Sequence, residues 1–183
     1  MNEAEHHFLK ALQTWVWSGF YDRQDVIGMV DRDLKTGIDR NALVAAVRSE
    51  FRKKAFAEAS WPDVTDPDRL SAAFEALRSQ GVCALQNAGF TQSDGFRYVS
   101  HSNETSGGKY RGYCFFHGQD LQRAIAGQGL FLAFGLIETG SGDVEIGKTV
   151  QRALADQGLS VEWDGTTKTR ILIPNIDWKR RFS

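Results

Sequence analysis

The sequence predicts an α+β protein: an N-terminal helical segment over residues 1–60 packed on an α/β sandwich over residues 61–183, with a mixed sheet of four to five strands. Three observations predict it. Through the first sixty residues apolar side chains recur at steps of three and four, the period of a helix with one buried face. Trp61-Pro62-Asp63 then breaks that period, because proline lacks the amide hydrogen and drives its predecessor out of the helical region. Beyond residue 81 short runs of consecutive apolar residues alternate with helical stretches, which is how strands covered on both faces read.

The first helix is expected over 3–17, with Phe8, Leu9, Leu12, Trp15 and Val16 on its apolar side and Ser18-Gly19 as a stop. Asp22 caps a second helix that buries Val26, Ile27, Val30 and Leu34 and ends before Gly37, where a left-handed cap residue costs glycine least. A third begins near Asp39 and carries Leu43, Val44, Val47, Phe51 and Ala55. Asp66-Pro67-Asp68 is the clearest start signal in the chain: a cap, proline at the first helical position and an acid in the first turn, followed by Leu70, Ala73, Phe74 and Leu77.

Strands are expected at 82–85, 110–116, 130–137, 159–163 and 169–173, with helices at 91–103, 119–126 and 143–157 between them. Asp164-Gly165-Thr166-Thr167, joining the last two strands, suggests a hairpin, since Asp-Gly supplies the positive φ angles of a tight turn.

Composition narrows the function classes. Among 183 residues 42% are hydrophobic, with 12 Phe and 5 Trp, so the chain can build a core and is not disordered. The net charge of −1 lacks the basic excess that binding a phosphate backbone exploits, and nucleic acid is not expected as a partner. Two cysteines, and a start (MNEAEHHFLK) without the basic and apolar regions of a signal peptide, predict a cytoplasmic protein with reduced thiols. No apolar stretch reaches the roughly 18 residues of a membrane span.

At 61–70 (WPDVTDPDRL), 84–95 (ALQNAGFTQSDG), 112–120 (GYCFFHGQD) and 161–173 (VEWDGTTKTRILI) the chain resembles a family of bacterial proteins described only as a domain of unknown function. The resemblance implies an intracellular bacterial protein and no particular chemistry.

Four site candidates follow from the residues. Gly142-Asp143-Val144-Glu145-Ile146-Gly147-Lys148-Thr149 satisfies the phosphate-loop spacing. Its β-branched Val144 and Ile146 resist unusual backbone angles, however, and Asp143 and Glu145 would repel an anion, so an ordinary capped helix is expected there. Phe115-Phe116-His117-Gly118 resembles the strand end of ADP-ribosyltransferase-type folds, in which the histidine holds the nicotinamide ribose of NAD; that resemblance implies a transferase-like enzyme as the alternative function. Cys83, Cys114, His101 and His117 are zinc-type ligands without zinc-site spacing. Asp31-x-Asp33 with Gly37 and Asp39 departs from calcium-loop spacing. No cofactor or metal is therefore expected.

The preferred set is a polar crevice. If the strands at 82–85 and 110–116 are parallel, their C-terminal ends bring the loop 87–95 beside the turn 117–120, and Asn87, Thr91, Asp94, His117, Gln119 and Asp120 face one opening. A carboxylate there, Asp94 or Asp120, is expected to raise the His117 pKa. The expected function is a binding or regulatory module, acting through this crevice or through an exposed aromatic surface on another protein.

Overall fold

The computed structural model describes residues 3–34, 39–138 and 141–182, and the expected cap at Gly37 lies outside them. The chain forms two compact units, Met1–Thr65 with Lys179–Ser183, and Asp66–Trp178. Among the described residues no helix is long and apolar enough to cross a membrane.

The first unit is helical: α1 (Glu3–Ser18), α2 (Arg23–Asp33) and α3 (Arg40–Glu58). The cap anticipated at Asp22 is in place, and Asp39 caps the helix expected to begin near it. Asp22 accepts from Asp25 N–H at 2.8 Å while Asp25 accepts in return from Asp22 N–H at 3.0 Å, and Asp39 accepts from Asn41 and Ala42. Phe8, Leu12, Val16, Val26, Val30, Leu43 and Val47 form one buried cluster; fully burying such a side chain contributes about 1.5–3 kcal/mol. The C-terminal tail belongs to this unit. Arg180 lies 4.3 Å over the Phe20 ring, and Arg181 donates to the Trp61 and Pro62 carbonyls at 3.2 and 3.0 Å.

The second unit is α4 (Asp66–Ser79), β1 (Val82–Leu85), α5 (Gln92–Thr105), β2 (Gly112–Phe115), α6 (Gly118–Ile125), β3 (Leu130–Leu136), α7 (Asp143–Asp156) and β4 (Ile171–Ile173). The sheet order is β1-β2-β3-β4, with β1 and β2 parallel and both other pairs antiparallel. Successive strand residues point to opposite faces. Ile146 of α7 sits where a Gly112 side chain would be, whereas Phe96 of α5 packs edge-on against both Tyr113 and Phe115. Thus α7 covers one face of the sheet and α5 the other; α4 packs on β1 and α7, and α6 on β3. The N-terminal helices, followed by a helix-covered mixed sheet of four strands, make the fold α+β.

One expected strand is reduced. At 159–163 only Glu162 pairs, as an isolated antiparallel bridge to Leu172. The polar turn between them takes its neighbours off the ladder: Asp164 Oδ1 accepts from Thr166 N–H and from the Thr166 and Thr169 hydroxyls, and Trp163 Nε1 donates to the Thr166 carbonyl. Gly165 does adopt positive φ (79°), inside the loop that separates the two antiparallel bridge partners.

Candidate functional site

Parallel pairing of β1 and β2 sends both chains out at the same edge of the sheet. Asn87, at φ 49°, turns the chain there; asparagine tolerates this left-handed region better than most residues. The two connections then hydrogen-bond to one another. Ala88 N–H donates to Phe116 O at 2.9 Å, Gly118 N–H to Gly89 O at 2.8 Å and Gln119 N–H to Phe90 O at 3.2 Å.

Most of the six polar residues are engaged locally. Thr91 caps α5, accepting from Asp94 N–H at 3.2 Å, and Asp94 Oδ2 accepts from the amides of Phe90 and Thr91 and from the Thr91 hydroxyl. Those hydrogen bonds, with Arg97 beside it, hold the Asp94 carboxyl well below the usual carboxylate range. Gln119 points to solvent.

His117 and Asp120 are buried, at 4% and 1% exposure. His117 precedes α6, and its Nε2 lies 3.1 Å from Asp120 Oδ2, which also accepts from His117 N–H at 3.4 Å. Arg170, fifty residues further on, donates Nη1 to the same carboxylate at 3.0 Å. The expected direction of the His117 pKa is corrected here. Desolvation by burial pushes it below 6.5; Asp120 opposes this, the Arg170 and Arg123 charges add to it, and the Phe90 carbonyl opposes it weakly. The neutral tautomer that donates from Nε2 fits this network, since protonation would place a second N–H at Nδ1, which is buried and reached by no hydrogen bond of good geometry. So enclosed, His117 presents no imidazole to a ribose from outside.

Arg170 was not legible as a partner, because nothing local in the sequence links it to Asp120. Arg123 carried a faint signal: it lies three residues after Asp120, hence on the same side of α6.

The other motifs resolve into packing. In the 142–149 segment Asp143 accepts from Leu136 N–H at 2.6 Å, Lys148 pairs with Glu145 at 2.7 Å and the Thr149 hydroxyl donates to Glu145 O, leaving an ordinary helix start. Cys83 pairs in register with Tyr113, one residue away from Cys114, so the two thiols lie on opposite faces of the sheet and do not converge on one ion. Burial pushes both thiols up, away from thiolate character.

Grooves open on the surface of the described residues. One, in the helical unit, is lined by His6, Leu9, Leu12, Gln13, Ala46 and Glu50. Another, of about 250 Å3, runs between α5 and the sheet, lined by Phe96, Val99, Asn103, Tyr113, Leu136 and Ile137, with Ser100 and Glu104 at its side.

No curated protein and no solved structure matches the chain. The family model described as a domain of unknown function, DUF6891, matches residues 1–182, and the chain belongs to that family.

Proposed function

We propose that the protein is a binding module that holds a segment of another protein against α5 and the adjoining face of the sheet. The observation that carries this reading is exposed aromatic surface concentrated at α5 and its entry: Phe90 is 54% exposed, Phe96 43% and Tyr98 56%. Water-facing rings gathered in so short a segment favour a contact surface over scattered exposure. Phe96 borders the groove, and Tyr98 lies on the opposite flank of the same helix, beside Gly89.

The groove's size selects the occupant. At about 250 Å3 it falls below the roughly 300–1,000 Å3 of sites that enclose a small molecule. It suits one anchoring apolar side chain of a peptide, packed beside Phe96. Glu104, held by the Ser100 hydroxyl at 2.9 Å, offers a carboxylate to a basic residue beside that anchor. Such a role needs neither cofactor nor metal, and the net charge of −1 goes with a protein partner more readily than with nucleic acid. An intracellular bacterial setting accompanies the reading.

The test is selection of displayed random peptides on the wild-type protein and on Ser100→Trp, which adds bulk beside the groove from an exposed position. Peptides with an aromatic or leucine anchor next to Lys or Arg should be enriched, and should bind Ser100→Trp at least tenfold more weakly. Absence of enrichment, or equal binding to both proteins, rejects the reading.

A further inference from the structure

We propose that the Arg123 and Arg170 guanidiniums, gathered on the Phe131 ring beside Asp120, form a binding site for a small oxyanion, a phosphate or carboxylate group. The site is separate from the groove beside α5 and does not depend on it.

Its placement follows from the fold. His117, Asp120 and Arg123 succeed one another at steps of three, which sets them in a row along one side of α6. That helix packs on β3, and Arg123 lies over Phe131 of β3, 5.7 Å from the ring centre. Arg170 reaches the same ring at 5.0 Å from just before β4. Phe131 and Leu172 are register partners, and Arg170, two residues before Leu172, shares its face of the sheet.

Two like charges are thereby held within 6 Å of one aromatic ring. Arg170 is tied to Asp120 through Nη1, and Asp120 is shared with His117. Arg123 is exposed, and its guanidinium makes no hydrogen bond or ion pair among the described residues. With His117 kept neutral by its burial, the local balance is two guanidiniums against one carboxylate. Attraction to the ring face holds a guanidinium in place without using its N–H groups, which leaves them available to fork onto two oxygens, the geometry phosphate and carboxylate groups accept. An oxyanion there would complete the charge balance that Asp120 supplies only in part.

The full chain is titrated with sodium phosphate, sodium succinate and sodium chloride at matched ionic strength, following the melting temperature and the arginine Nε–H resonances. A saturable rise in melting temperature with phosphate or succinate is expected, with the Arg123 and Arg170 resonances shifting together; the stronger of the two assigns the ligand class. Arg123→Gln should melt with the wild type in chloride and weaken the oxyanion response at least tenfold. Arg170→Gln should weaken it too, but it also frees the buried Asp120, so Arg123→Gln carries the decision. The proposal is wrong if both oxyanions act like chloride. It is equally wrong if their effect survives in Arg123→Gln, as general salting-out would.

Discussion

Replacing Asp120 by alanine is the sharpest perturbation of the network behind β2. Its carboxylate, with 2% of the side chain exposed, accepts from His117 Nε2 at 3.1 Å, from His117 N–H at 3.4 Å and from Arg170 Nη1 at 3.0 Å. Removing one partner of a buried ionic contact costs about 3–5 kcal/mol, because the other is left uncompensated. Arg170 is 28% exposed and can turn back to water, which moves the expectation toward the lower end. What stays stranded is the imidazole N–H, at about 1–3 kcal/mol. A loss of about 3 kcal/mol corresponds to a fall of about 6–12 °C in melting temperature for a chain of this size. Urea denaturation followed by tryptophan fluorescence should show a lower midpoint at unchanged slope. Asp120→Asn retains an acceptor for Nε2–H and should lose about half as much, since it gives up the charge but not the shape. A loss below about 1 kcal/mol for alanine, or a greater loss for asparagine than for alanine, refutes the claim that His117 and Arg170 are held together by this carboxylate.

Other contacts of the chain set further outcomes. Because burial holds the His117 pKa below 6.5, the unfolded chain takes up the proton first as the pH falls; wild-type stability is therefore full above that pH and declines below it. His117→Gln should flatten this part of the urea-midpoint profile, and an unchanged slope would remove His117 from the explanation. Gly95→Ala should destabilise by about 1–3 kcal/mol through overpacking, since a Cβ at that position would run into the Phe115 ring; thermal melting reads it, and an unaltered midpoint would mean that α5 does not rest there. Arg181→Ala, which loses hydrogen bonds to the Trp61 and Pro62 carbonyls, should cost about 1–2 kcal/mol, and a neutral result would show that the tail is not docked. Lys148→Ala should change stability by only a few tenths of a kcal/mol, its ion pair with Glu145 being 54% and 69% exposed; a melting shift with ATP that disappears in this variant would restore the phosphate-loop reading.

What the sequence determined by itself was local. The Asp22 cap, the helix start near Asp39, Pro67 in the first turn of α4 and the helical period of the apolar residues each rest on positions close together in the chain, so each is settled by contacts the segment makes with itself. The parallel pairing of β1 and β2, which entered the crevice reading only as a condition, goes with a strand, a helix and a strand in close succession, an order that favours a crossover connection. Even the short strand at 159–163 failed for a local cause, the competing hydrogen bonds of Asp164 and Thr166. Tertiary structure alone decided the state of the polar edge. His117 looks like a solvent-facing histidine beside an acid until Gly89 and Phe90 close over the start of α6 and Arg170 arrives from fifty residues away to take the other side of Asp120. Burial and distant charge reverse the direction of its pKa, and neither is written in the residues adjoining it: desolvation depends on everything that packs nearby, and Coulomb interactions on where the whole chain returns.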